Sequence, residues 1–268
     1  MRSARLATRT FATTSDAVSK RVESVTRLAL RALQCGLGVD VAVLRDYDCG
    51  ETATELRRVL DPRITVSELA GDQFVAVPNQ LLELHRARGC WSLIASSNAW
   101  QYCTSVNIGY MLAALEEGAY ATGLAIEELQ QSILKGEIAN TFAGYDPAKV
   151  LAVGGFHSIA ADLPGKFEVS GVDEFGRPVT YRLAGVEETV TLALMALRFG
   201  KGIAPLIPEG GARYVVPDAE HDQLRYEQHL AKMGTKEVRK ERMLQETGLS
   251  RSLIEGAVLD SYRVRALT

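Results

Sequence analysis

Cysteine, histidine and tryptophan are scarce in this chain, and their scarcity excludes several kinds of protein. Among 268 residues there are four cysteines, four histidines and two tryptophans. No C-x-x-C occurs, and no histidine stands at zinc-ligand spacing from a cysteine pair, so neither a disulfide scaffold nor a cysteine-based zinc module is present. Cys35 and Cys49 lie 14 residues apart and Cys90 and Cys103 13 apart. They read as buried free thiols of a reducing intracellular compartment, cytoplasm or virion. Long apolar runs are missing too. The stretch 190–197 carries one threonine and falls short of the ~18–20 residues a membrane-spanning helix needs. With 47% hydrophobic and 24% charged residues, the composition is that of a soluble globular protein with a real core.

The small net charge of −3 conceals an uneven distribution. Residues 1–34 carry seven basic side chains against two acids, residues 222–268 nine against seven, and the middle stands at −10. A chain with basic ends and an acidic body is expected to meet polyanions at its ends, or to associate with its own copies or other protein subunits end to body.

The first fifteen residues hold Arg2, Arg5 and Arg9, six Ser/Thr and no acid. Residues 1–16 therefore read as a flexible basic arm or, alternatively, a mitochondrial targeting segment. From Asp16, a plausible N-cap, Val18, Val22, Val25, Ala29 and Leu33 fall at helical spacing up to Gly36. This amphipathic helix either packs its valine stripe on the body or lies on an anionic surface.

Through the body, 39–44 alternates as a strand, 51–60 is a helix stopped by Asp61-Pro62, 64–66 and 74–77 are short strands, and 79–89 is a helix. Residues 90–144 are rich in large apolar side chains and poor in charge, the signature of a core, with a helix over 127–134. Residues 150–153 read as a strand before Gly154-Gly155, 166–172 and 178–183 as a hairpin with Gly176 in its loop, and 186–199 as an apolar helix. Helical and strand periods switch without regular alternation. The expected fold is α+β, predominantly helical, with a small antiparallel β component in the second half, divided as 1–16, 17–216 and 217–268.

Near the C-terminus, Leu244, Thr247-Gly248-Leu249-Ser250 and Ile254 have the spacing of two short helices about a glycine turn, with Ser250 as cap of the second. Residues 243–258 resemble a helix-turn-helix DNA-binding module. The resemblance implies Arg251 and Ser252 at the reading end of the second helix, and phosphate contacts from Lys236, Arg239, Lys240 and Arg242. A structural helical hairpin is the other reading.

Catalytic signatures do not emerge. Gly154-Gly155-Phe156-His157-Ser158 lacks the lysine and spacing of a phosphate loop and reads as a turn. His157, Ser158 and Asp162 have no nucleophile elbow. His221 and His229, about 12 Å apart on a helix, are too distant to share a metal. No catalytic residue, metal ligand or cofactor is assigned. The expected function is a non-enzymatic, oligomeric nucleic-acid-associated protein. The alternatives are a structural or assembly subunit, and an enzyme whose site is assembled from distant loops.

Overall fold

Valine and leucine alternate with small residues in Gly38–Leu44, and this stretch is buried on both faces, as a strand inside a parallel sheet must be. The computed structural model describes residues 2–125, 129–164, 168–172, 178–183, 186, 188–208 and 223–262. Its centre is a seven-stranded sheet. The strands are β1 Ala4–Thr10, β2 Gly38–Leu44, β3 Ile64–Leu69, β4 Trp91–Ser96, β5 Ala121–Leu124, β6 Ala139–Tyr145 and, for the seventh, β9 Ile203–Leu206. Their order is β3-β2-β1-β4-β6-β5-β9, and β6 runs antiparallel to both of its neighbours. A separate hairpin pairs β7 Glu168–Val172 with β8 Pro178–Arg182.

Helices cover both faces. Leu6, Val39, Val41, Val43, Leu93 and Ala95 point into one core layer, beneath α1 Ser15–Gln34, α2 Thr52–Val59 and α4 Ser105–Glu116. Ala7, Ala42, Leu44, Ile94 and Ala143 point into the other, beneath α3 Ala76–Ala87, α6 Pro147–Ala152 and α7 Thr189–Phe199. A short helix α5, Leu129–Leu134, connects β5 to β6. The C-terminal helices α8 Gln223–Gly234, α9 Lys236–Glu246 and α10 Arg251–Gly256 follow, and Met243, Leu244 and Ile254 join the second layer. After α10 the chain returns to the sheet edge, where Leu259 N donates to Ile203 O at 3.0 Å.

The architecture is therefore a doubly wound α/β fold, not the α+β arrangement expected from the sequence. Two causes account for the difference. Strands buried on both faces do not alternate cleanly, so β4, β5, β6 and β9 merge into undifferentiated apolar sequence. The sheet's central strand also lies in the stretch expected to be a flexible arm: Ala4–Thr10 pairs with β2 on one side and β4 on the other. Two expected strands are replaced by helical structure. At 74–77, Asp72 gathers the amides that open α3. At 150–153, α6 is started by Asp146, whose carboxylate accepts from Ala148 N at 3.0 Å, and by Pro147 in the first helical turn. The N-cap of α1 is Thr14, with Asp16 in the first turn. The hairpin loop at 173–177 and residues 209–222, including His221, lie outside the described residues. Among the described residues no helix is long and apolar enough to cross a membrane.

Candidate functional site

From β1 through β2 to β3 the chain winds outward in one direction, with α1 and α2 on one face. It then crosses back over the other face through α3 to place β4 on the far side of β1. The strand order thus reverses between β1 and β4, and the crevice over their carboxyl ends is the place where doubly wound sheets take ligands, with both exits turning toward the face of α1 and α4. Phe11 to Thr14 leave β1 there, and Ser96, Ser97 and Asn98 leave β4.

Three aspartates fix the rim. Asp48 accepts from Ala12 N at 2.8 Å, Gly50 N at 3.0 Å and the Thr52 hydroxyl, joining the exits of β1 and β2. Asp46 accepts from Gly71 N at 2.7 Å, joining β2 to β3. Asp72 accepts from Phe74 N, Val75 N and Ala76 N between 2.7 and 3.2 Å. Each carboxylate satisfies amides that a strand exit or helix start leaves orphaned, so the loops are set before any ligand arrives. Against this frame lie the rings of Phe11 and Tyr47, with centroids 5.7 Å apart, and Tyr47 is 48% exposed. Arg9, half-buried, is the register partner of Ser96 across the β1–β4 pair.

Toward the amino-terminal ends of β1, β2 and β4 a buried polar cluster binds three strands and a helix. Asp40 on β2 accepts from Arg5 Nε at 2.5 Å, Arg88 Nη1 at 2.8 Å and His85 Nε2 at 3.1 Å, while His85 Nδ1 meets Ser92 Oγ at 2.8 Å. Burial works to raise the Asp40 carboxyl, but hydrogen bonds from His85, Arg5 and Arg88, with the charge of Arg5, hold it well below the usual carboxylate range. Serine, histidine and aspartate in contact suggest a hydrolase. However, His85 and Ser92 are 0% exposed, so no substrate reaches them and the cluster is structural. Sequence reasoning missed it because the partners of Asp40 lie 35 to 48 residues from it.

The C-terminal hairpin forms with Gly248 at positive φ and Ser250 capping α10, as its spacing predicts. Its basic side chains, however, are turned to their own protein. Arg239 is buried and donates to Lys232 O at 2.6 Å and Thr235 Oγ1 at 3.1 Å. Lys240 and Arg251 share Glu137 at 2.9 and 2.7 Å, and both also bind Glu237. Burial works to raise Glu237, yet Lys240 and Arg251 hold it at about 2. Arg242 pairs with Glu246 at 2.7 Å, Lys236 is half-buried, and the Ser252 amide donates to Ser250 Oγ. None of these residues lies on the strand-exit loops that form the crevice. The Gly154-Gly155 segment is the expected turn, with both residues at positive φ. His157 Nδ1 accepts from Ile159 N at 3.2 Å, so that histidine caps a 3-10 turn.

No protein-family model matches the chain, and no curated protein does. Among solved structures it is similar to the mannosyltransferase PcManGT from Pyrobaculum calidifontis, determined in complex with GDP-Man and Mn2+. The TM-score is 0.51 at 12% identity, over 81% of this chain, which spans 58% of the length of that enzyme. A more distant likeness, with TM-score 0.40 and 8% identity over 57% of this chain and 73% of the other, is to 4-diphosphocytidyl-2C-methyl-D-erythritol synthase from Anaerococcus prevotii. The fold is thus one found among glycosyltransferases. That likeness, with the commitment of Lys240, Arg242 and Arg251 to internal ion pairs, overturns the expectation of a nucleic-acid-associated or assembly protein.

The residues of the crevice do not fit a bound Mn2+. Ser96, Ser97 and Asn98 at the β4 exit are neutral, Asp48 and Asp72 accept on both carboxylate oxygens, and Asp46 accepts a single amide. Among the described residues no group of three or more His, Cys, Asp or Glu is placed to hold a metal ion.

Proposed function

We propose that the chain is an enzyme that transfers a group, of the glycosyl type, from a nucleoside-diphosphate donor bound in the crevice between β1 and β4. The observation that carries this reading is the crevice itself. It opens where the strand connections reverse, its rim is set in advance by Asp46, Asp48 and Asp72, and aromatic rings stand at its β1–β2 end. The likeness to a fold that accommodates GDP-mannose supports it.

In this arrangement Phe11 and Tyr47 offer a stacking surface for the nucleobase. On the β4 side the half-buried Ser96 offers its hydroxyl, while Ser97 is buried and Asn98 Oδ1 accepts from the Ser24 hydroxyl of α1 at 3.1 Å. The aspartates orient loops and do not bind ligand. A preset rim spares the ordering cost that a mobile loop incurs on binding.

Thermal-shift and calorimetric titration of the full chain with UDP-, GDP- and CDP-linked sugars tests this. A rise in melting temperature with at least one is expected. Tyr47→Ala should weaken that binding by about tenfold through lost base stacking while changing ligand-free stability by no more than ~0.5 kcal/mol. If no nucleotide-linked sugar or nucleoside diphosphate shifts the melt, the proposal fails.

A further inference from the structure

We propose that Cys35 and Cys103 form a modification site, at which an oxidant of the hydroperoxide class joins them in a reversible disulfide that fastens the end of α1 to the 3-10 helix after β4. Neither residue belongs to the strand exits that form the crevice, so the bond forms whatever the crevice binds.

Two element ends bring the thiols together. Cys35 is the C-cap of α1, its amide donating to Arg31 O at 3.0 Å and Ala32 O at 3.1 Å. Cys103 closes the 3-10 helix Ser97–Tyr102, its amide donating to Trp100 O at 3.2 Å. This 3-10 helix packs on α1. The Ser24 hydroxyl donates to Asn98 Oδ1, and the Arg31 guanidinium lies 4.8 Å from the centre of the Trp100 ring. The two ends therefore meet, with the thiols in hydrogen-bonding contact and Cys35 Sγ 3.7 Å from Ser105 Oγ. A disulfide requires the sulfurs to close to about 2 Å. Cys35 is followed by Gly36 at φ +76° with open space around it, so the end of α1 takes up that small movement.

Exposure divides the roles. Cys35 is half-exposed and meets a small oxidant, whereas Cys103 is 2% exposed and shielded from it. The Cys35 thiolate attacks one peroxide oxygen. The S–O bond forms, the O–O bond breaks, and the departing oxygen takes a proton and leaves as water or an alcohol. The Cys103 sulfur then attacks the sulfenic sulfur of Cys35, the S–O bond breaks, and hydroxide leaves as water with the Cys103 proton. Together the two thiols lose two electrons and the peroxide gains two. Burial keeps the Cys103 thiol protonated, but its contact with Cys35 replaces a bimolecular encounter with an intramolecular one.

The test exposes the reduced full chain to hydrogen peroxide, quenches it with an alkylating reagent and maps peptides by mass without reductant. A peptide pair joined through Cys35 and Cys103 is expected, with both thiols recovered by dithiothreitol. The linked chain should melt at a higher temperature than the reduced one, because the cross-link restricts the unfolded state. In Cys103→Ala, Cys35 should stop at the sulfenic acid and be trapped by dimedone. If that variant melts well below the unsubstituted chain, Cys35→Ser carries the test: Cys103 should keep its thiol at peroxide doses that convert the unsubstituted chain. Retention of the Cys103 thiol in the unsubstituted chain overturns the proposal, as does a disulfide to Cys49 or between chains in its place. Oxidation of Cys103 in folded Cys35→Ser, or a linked chain that melts no higher than the reduced one, overturns it too.

Discussion

The side-chain amide of Asn79 grips a single residue twice: its Oδ1 accepts from Phe156 N at 2.7 Å and its Nδ2 donates to Phe156 O at 3.1 Å. Asn79 thereby acts on α3 as a one-residue strand partner for the loop after α6. Gly155 approaches so closely that a Cβ there would lie 2.5 Å from Asn79 Oδ1, and its φ is +81°. Asn79→Ala should cost about 1–3 kcal/mol by orphaning the buried Phe156 amide. Gly155→Ala should cost more, since left-handed backbone strain adds to the collision. Denaturant melts of the two variants check this, and equal stability of Gly155→Ala and wild type would contradict it.

Asp40 should control acid stability. A carboxyl whose folded pKa is depressed contributes stability that is fully present above the ordinary aspartate range and is lost as pH falls toward the folded value. Asp40→Asn leaves Arg5 and Arg88 without their shared carboxylate and should cost about 3 kcal/mol at neutral pH. The gap to wild type should stay constant above about pH 5 and close progressively below it. Urea melts of both proteins across that range measure the gap.

The four thiols should separate into two kinds. Cys49 is exposed and Cys35 half-exposed, whereas Cys90 and Cys103 are buried. Burial, followed by the neighbouring Cys35 thiol, pushes Cys103 up to about 12, and burial raises Cys90 as well. Timed alkylation at mildly alkaline pH with mass mapping should label Cys49 and Cys35 in the native protein, and Cys90 and Cys103 only after denaturant is added.

Glu137 should matter to the C-terminal helices out of proportion to its place at the surface. It sits between Lys240 and Arg251, with side-chain exposures of 15%, 9% and 25%. Glu137→Gln leaves two partly buried cations facing a neutral amide and should lower stability by about 2 kcal/mol. Raising the salt concentration should recover little, because screening acts weakly on partly buried pairs. Arg242→Gln, which breaks an exposed pair with Glu246, should cost under ~0.5 kcal/mol by the same measurement.

Elements with local signals were legible in the sequence. The valine stripe gave α1, the Asp61-Pro62 stop closed α2, and the apolar run gave α7. What escaped depends on distant partners. β1 was hidden by Arg5, whose charge looks out of place in a central strand until Asp40, 35 residues on, is brought beside it. The C-terminal cations suggested a polyanion because their carboxylate, Glu137, stands 103 residues from Lys240 and 114 from Arg251. α6 and the rim of the crevice did carry local marks. Asp146-Pro147 is a helix start, and Asp48-Cys49-Gly50 and Gly71-Asp72 are turn sequences at strand exits, where an aspartate satisfies nearby amides. Those marks were outweighed by the β-like run 150–153 and by the absence of regular strand and helix alternation.

The aspartate links of the crevice rim are all short in sequence: 36 residues from Asp48 to Ala12, 25 from Asp46 to Gly71, and four or fewer for Asp72. Loops of such lengths close at small entropic cost, and during synthesis the N-terminal part of a chain is available to fold first. Everything that shapes this side of the crevice is encoded by residue 76, before β4 has been translated. One wall of the pocket can thus mature on the ribosome, and the later strands dock onto a template that already exists.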